Sequence, residues 1–441
     1  MLMEKEIKRD YYLEQLVERK GNGLIKIVTG IRRCGKSYLL RTLFKKHLLE
    51  SGVDESHIIE MAFDLYDNIE YRDPKLFYPW AKEQLNDEEK YYFLLDEVQM
   101  LEEFVSVLNG LADKKNCDVY VTGSNAKFLS KDIATEFGGR GDEIHMYPLS
   151  FSEFMTVYEG NRYDGWNEYI TYGGIPLVVL AETEEQKIKI LDNLFEETYL
   201  NDIKNRNKIR NVGEMKAVLD VLSSAIGSLT NPHKLQKTFK SVSQSKITAT
   251  TITKYIEYLE DAFLIEGANR YDIKGKSYIG TPLKYYFMDM GLRNARINYR
   301  QQEVTHSMEN VIYNELRMRG FKVDVGNVQI VESGKNGKPV RKQLEVDFIC
   351  KKGSKRYYIQ SAYMLPTQEK MEQEIRPFLK INDSFKKVVI NSGEEIPQYF
   401  FEKFNKLELI VINEGVKKIS AYSLFGIEGL NVILPKSIEN I

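Results

Sequence analysis

The sequence is short of the features that mark several large classes of protein. It has three cysteines in 441 residues, Cys34, Cys117 and Cys350. Three scattered thiols, an odd number, argue against a disulfide framework or a zinc site and point to a reducing compartment. No apolar run reaches the roughly 18 residues of a membrane span. The N-terminus, MLMEKEIKRDYYLEQL, mixes charges into a helical pattern, unlike a secretory signal. These absences predict a cytoplasmic protein with no membrane partner. Net charge is nearly missing as well: 62 Lys and Arg face 64 Asp and Glu, so any nucleic-acid site must be a local patch. The five histidines show no metal-ligand spacing.

What is present is organised around Leu24 to Leu43, LIKIVTGIRRCGKSYLLRTL. A β-branched run ends at Gly30, a short loop leads to Gly35-Lys36-Ser37, and a helical pattern follows: strand, phosphate loop, helix. Glycines let backbone N–H groups converge on an anion, and the helix N-terminus adds donors and a favourable dipole. The pattern predicts a nucleotide cradle of Gly30, Arg33, Cys34, Gly35, Lys36, Ser37 and Tyr38. Lys36 would reach the β- and γ-phosphates, and the Ser37 hydroxyl would sit on Mg²⁺.

Further along, YYFLLDEVQ (Tyr91 to Gln99) reads as a strand buried on both faces with acids at its carboxyl end. In a parallel sheet that end lies beside the phosphate loop. Asp96 is then placed to order the metal shell and Glu97 to orient the attacking water. The strand CDVYVTGSN (Cys117 to Asn125) puts Ser124 and Asn125 where they would sense the γ-phosphate or serve as ordinary turn residues. Arg140, in the glycine-rich FGGRGD turn, is either a cation for transferred phosphoryl charge or a surface ion-pair partner.

Taken together, GIRRCGKS, LLDEVQ, VTGSN and GGRGDEIHMYPLSFSEF resemble the prokaryotic AAA-type P-loop ATPases that carry an uncharacterised C-terminal region with a nuclease-like fold. YGGIPLVV, KYYFMDMGLRNA, ENVIYNELRMRG and EVDFI…YYIQSAY extend the likeness over about residues 10 to 390. The resemblance implies an α/β parallel-sheet domain that binds ATP and Mg²⁺. It makes Gly30 to Ser37 a Walker A motif, Asp96 and Glu97 a Walker B pair, and Ser124-Asn125 a sensor. Arg140 becomes a candidate arginine finger, acting within the chain or across an oligomer. ATP is favoured over GTP because no N-K-x-D occurs; Asn405 to Glu408 (NKLE) only approaches it.

The remaining chain divides by pattern into five parts: an ATPase domain (1–150), a helical lid (151–205), three helices and a hairpin that describe a winged helix (206–290), a nuclease-like domain (291–392) and a repetitive tail (393–441). In the winged helix Thr248, Thr250, Thr251 and Lys254, with Lys274 and Lys276 in the hairpin, form a possible double-stranded DNA face; docking of protein is the alternative. In the nuclease-like part Glu315, Asp347 and Gln360 occupy the expected acidic positions. However, Gln360 and Ala362 stand where an acid and a lysine belong, which predicts an inactive core. The tail repeats at an offset of twenty-two or twenty-three residues (Ile396 over Ile419, Leu407 over Leu430, Val411 over Leu434), a period that resembles leucine-rich repeats and suggests protein contact. The expected function is an ATP-driven switch coupled to a DNA-binding or docking half. The alternatives are a nucleotide-gated interaction module and an active metal-dependent nuclease.

Overall fold

The computed structural model describes residues 6–123, 137–242, 245–300, 303–333, 338–363 and 367–391, and in the tail 395–396, 409–411, 418–419 and 431–433. Two compact units result. The first comprises 1–165, 172–210 and 257–264, the second 166–171, 211–256 and 265–441.

The first unit is built on five parallel strands: β1 (Ile25–Thr29), β2 (Ile58–Ala62), β3 (Tyr91–Asp96), β4 (Cys117–Thr122) and β5 (Gly141–His145), in the order β2-β3-β4-β1-β5. The near-continuous apolar character of β1, β3 and β4 follows from helices covering both faces. On one face Ile25, Ile27, Phe93, Leu95 and Val121 pack with Phe77, Leu108 and Leu111 of the crossover helices. The opposite face of the same strands carries a buried charged pair. Lys26 of β1 is fully buried against Asp118 of β4, and Asp118 also accepts from Tyr120 Oη (2.9 Å) and the Gly21 amide (2.8 Å). Helices Phe151–Phe154, Arg162–Tyr172, Pro176–Val179, Glu184–Asn193 and Asn201–Asn207 follow in the chain, with a π-helical stretch at Leu194–Leu200.

In the second unit, helices Val212–Ser224, Pro232–Val242 and Ala249–Asp261 precede a hairpin of β6 (Ile265–Asp272) and β7 (Ser277–Phe287); the last turn of the third helix is counted with the first unit. The second hairpin strand is longer than the Lys284 to Met288 that the residue pattern suggests. Helix Val304–Met318 then leads to β8 (Lys322–Ser333), β9 (Pro339–Lys352), β10 (Lys355–Ala362) and β11 (Lys386–Asn391). The expected boundary at 290/291 requires correction. Strand β6 pairs in parallel with β8, Arg270 opposite Val325, so hairpin and later strands form one six-stranded sheet, β11-β10-β9-β8-β6-β7. Tyr286, Tyr313, Val325, Phe348 and Ile359 fill its core, with the rings of Tyr286 and Tyr313 stacked at 4.1 Å.

In the tail, Glu395 lies opposite Lys418 and Leu409 opposite Asn431, both pairs parallel. These partners are twenty-three and twenty-two residues apart, so the register slips by one between the two pairs. Val411 therefore faces Ile433 rather than Leu434.

Candidate functional site

The loop after β1 owes its shape to glycine at two places. Gly30 has φ +137°, and a Cβ there would stand 2.1 Å from the Met146 carbonyl oxygen; Gly35 has φ +104°. The helix then starts at Lys36, with the Leu39 amide donating to the Gly35 carbonyl at 2.9 Å. Lys36 is 4% exposed and its Nζ donates to the carbonyls of Gly30 (3.0 Å) and Ile31 (3.1 Å). The ammonium is thus held inside its own loop. Ser37, Tyr38 and Arg33 are exposed, while Cys34 is buried with its Sγ 3.5 Å from the Met146 carbonyl.

Asp96 closes β3 at the same end of the sheet. Its Oδ1 accepts from Ser37 Oγ at 3.0 Å and from Thr122 Oγ1 of β4. Burial raises the Asp96 carboxyl above its ordinary range; the two hydroxyls oppose this, and Glu97 and Asp64 add to it. Glu97 has φ +50°, its amide donates to Thr122 Oγ1 at 3.0 Å, and its carboxylate accepts from Gln99 Nε2. A left-handed turn at a glutamate, fixed by hydrogen bonds, aims this carboxylate separately from Asp96. The oxygen set of Ser37 and Asp96 suits a Mg²⁺ ion.

Three contributors escape a reading by motif. Thr122 ties Asp96 to the Glu97 backbone from the neighbouring strand. Arg9, 2% exposed, donates to the carbonyls of Cys34 (3.0 Å) and Tyr147 (2.7 Å) and pairs with Glu153 at 2.9 Å, bracing the loop from beneath. Gln99 holds Glu97. Thr122 and Gln99 lie inside the VTGSN and LLDEVQ stretches and so offered a signal, whereas nothing in the sequence marked Arg9.

Ser124 and Asn125 lie outside the described residues. Arg140 needs correction as an in-chain finger. Gly141 pairs with Ile25 at the start of β1, whereas the phosphate loop follows Thr29, paired with His145 at the other end. Arg140 therefore sits at the opposite end of the strands from the phosphate loop, where its exposed guanidinium pairs with Asp113 at 3.1 Å.

The nuclease-like trio also changes. Glu315 points away, paired with Arg319 on the next helical turn at 2.5 Å. The helix acid that turns inward is Glu309, 5% exposed, which accepts from Lys284 Nζ (2.9 Å) and Tyr286 Oη (2.7 Å). Lys284 is 3% exposed and also pairs with Glu345 at 2.6 Å. Asp347 accepts from the Ser361 amide at 2.8 Å, its own amide donates to Gln360 Oε1 at 3.4 Å, and Gln360 Nε2 donates to Glu374 at 3.1 Å. Burial, followed by the charge of Glu309, holds the Asp347 carboxyl well above its ordinary range, and Lys284 opposes both. Lys284 is thus the resident cation of this cluster. Among the described residues no group of three or more His, Cys, Asp or Glu side chains is arranged to hold a metal ion, and no helix is long and apolar enough to cross a membrane.

Comparison with known proteins places this geometry. A family model described as an AAA domain matches residues 22–155, and a model for a domain of unknown function matches 163–303. An uncharacterised protein of Haemophilus influenzae is 35% identical over 390 residues, covering 87% of this chain and 93% of that one. The chain belongs to the same family as this Haemophilus protein. Its N-terminal unit carries an AAA-type P-loop ATPase domain. An uncharacterised protein of Methanocaldococcus jannaschii is 28% identical over 419 residues, covering 91% of this chain and 87% of that one. Among solved structures, the Walker-type ATPase of Pyrococcus abyssi is 14% identical with a TM-score of 0.48, covering 67% of this chain and 97% of that one.

Proposed function

We propose that this family member hydrolyses Mg²⁺-bound ATP and uses the cycle to switch a C-terminal half that docks duplex DNA. The observation that carries hydrolysis is the convergence of Ser37 and Thr122 on one carboxylate oxygen of Asp96 beside a separately oriented Glu97. Lys36 binds the β- and γ-phosphates on leaving its own carbonyls, and the loop amides cradle the β-phosphate. Ser37 and Asp96 hold the Mg²⁺, which supplies charge neutralisation at the transferred phosphoryl group. Glu97 orients and polarises the attacking water. Arg140, remote from its own chain's loop, acts as a finger only on a neighbouring copy.

The docking half rests on exposed Thr250 and Lys254 of helix Ala249–Asp261 and on exposed Lys274 and Lys276 of the β6-β7 turn. Thr248 is spent as the helix cap, accepting from the Thr251 amide at 3.1 Å. The nuclease-like core is inactive in this reading, because an ammonium stands where a metal would. A second reading, a nucleotide-gated protein-interaction module, is favoured by the parallel strand pairs of the tail at the repeat offset.

ATP turnover by wild type and Glu97→Gln, with and without duplex DNA, tests the proposal. Turnover should fall at least about a hundredfold in the variant and rise with DNA in wild type. Wild-type turnover that Glu97→Gln leaves intact refutes the hydrolytic assignment. No DNA binding at low salt removes the DNA arm and leaves the protein-docking reading.

A further inference from the structure

Within the first unit the phosphate loop is fastened to the helical segment 194–207 by two bonds. Tyr199 Oη donates to the backbone carbonyl of Arg32, the third residue of the loop, at 2.7 Å. The Arg32 guanidinium donates to Asp202 Oδ1 at 2.9 Å. The other oxygen of Asp202 is taken by Arg206, one helical turn on. One carboxylate therefore serves two guanidinium groups beside a loop built for a polyanion. Arg32 Nε is enclosed and makes no hydrogen bond among the described residues. Burial first, and then the charge of Arg32, draw Arg206 below its ordinary range, while Asp261, near the end of helix Ala249–Asp261, opposes them. Positive charge is thus crowded at this place. The stretch bearing Tyr199 is π-helical, a wound form frequent at functional sites.

We propose that Arg32 and Asp202 form a nucleotide-sensitive latch. The terminal phosphate of ATP takes the Arg32 guanidinium from Asp202, and Asp202 stays with Arg206. A planar guanidinium matches phosphate oxygens in bidentate fashion, and its idle Nε gains a partner in the exchange. Losing the Arg32–Asp202 bond removes one of the two ties to the loop and leaves that of Tyr199, so the charge of the nucleotide is converted into looseness of the helix at Asn201–Asn207. By linkage, whatever holds the latch closed weakens ATP by the same factor that ATP opens it. This inference rests on the nucleotide-binding reading above.

The test is calorimetric titration of the full chain with MgATP and with MgADP, using wild type, Lys36→Ala, Asp202→Asn, Asp202→Glu and the double variant Arg32→Gln with Asp202→Asn. Asp202→Asn should bind MgATP about fivefold more tightly, the ratio that one partly exposed ion pair is worth, with MgADP changed by less than about twofold. Asp202→Glu should return the discrimination to that of wild type, and the double variant should lose the gain. Hydrogen exchange gives a readout independent of affinity. MgATP should speed exchange at amides 199–207 in wild type, whereas in Asp202→Asn exchange should be fast before nucleotide is added. Equal shifts for both nucleotides, or exchange at 199–207 indifferent to MgATP, overturn the latch alone. Wild type that binds neither nucleotide, or binds them equally well after Lys36→Ala, overturns the nucleotide reading and the latch with it.

Discussion

Replacing Asp96 by asparagine is expected to stabilise the nucleotide-free chain while weakening its hold on MgATP. The side chain is 3% exposed and its Oδ1 takes hydrogen bonds from Ser37 and Thr122. An asparagine keeps that acceptor in nearly the same volume. What disappears is a buried negative charge next to Glu97 and Asp64, a burden of about 2 kcal/mol for an inadequately compensated buried group. At about 2–4 °C per kcal/mol for a unit of this size, the melting temperature should rise by about 4–8 °C at pH 8.

The pH dependence has a definite sign. The folded carboxyl has a pKa raised above 3.8, so wild type gains stability as pH falls from the raised value toward 3.8 and the variant does not. The advantage of Asp96→Asn should therefore shrink with acidification and be gone below about pH 4. Saturating MgATP should reverse the order: wild type gains about 2.7 kcal/mol at a hundredfold excess over Kd, and the variant, lacking the carboxylate, gains far less. Calorimetric melting at pH 8 and pH 5, with and without MgATP, measures all three effects. An asparagine variant that melts lower than wild type at pH 8 without nucleotide, or gains as much from MgATP, refutes the reasoning.

Other expectations follow from the same contacts. Gly30→Ala puts a methyl 2.1 Å from the Met146 carbonyl in a backbone region alanine avoids, so a nucleotide titration should show binding lost. Lys26→Met leaves Asp118 buried without its cation, and urea unfolding should show a loss of about 3–5 kcal/mol. Lys284→Met strips the ammonium from between Glu309 and Glu345; stability should drop by about 3 kcal/mol at pH 8. Part of that loss should return as pH falls, because Asp347, held above its ordinary range by burial and Glu309 and now without the opposing Lys284, binds a proton that the unfolded chain binds only at lower pH. Unchanged melting of Lys284→Met across that range would remove the counter-ion role.

Much of the ATPase unit was legible because its signals are local. The phosphate loop is contiguous with its strand and helix, and the acids follow directly on β3. The partners that hold these residues were not legible. Arg9, ahead of the first strand, and Thr122 and Asp202, far along the chain, are brought to the loop or to Asp96 only by the tertiary fold, and nothing in the local pattern marks Arg9 or Asp202. Glu315 fits the pattern of an acid on a helix ahead of the strands, but so does Glu309 six residues earlier. At 100° per residue they stand about 120° apart, and only one of them faces the sheet. Lys284 arrives from a hairpin that reads as part of a different domain. Arg140 shows the limit of motif adjacency: four residues along a strand separate one end of the sheet's strands from the other.

The parallel pairing of β6 with β8 has a practical outcome. A fragment ended after the hairpin would leave β6 with a bare row of amides and carbonyls, the kind of edge on which chains aggregate. A fragment begun after it would leave β8 in the same state. Hairpin and following strands should melt in a single transition and be inherited as one piece, so chimaeras ought to be joined before Ile265 rather than at the midpoint that the residue pattern suggests.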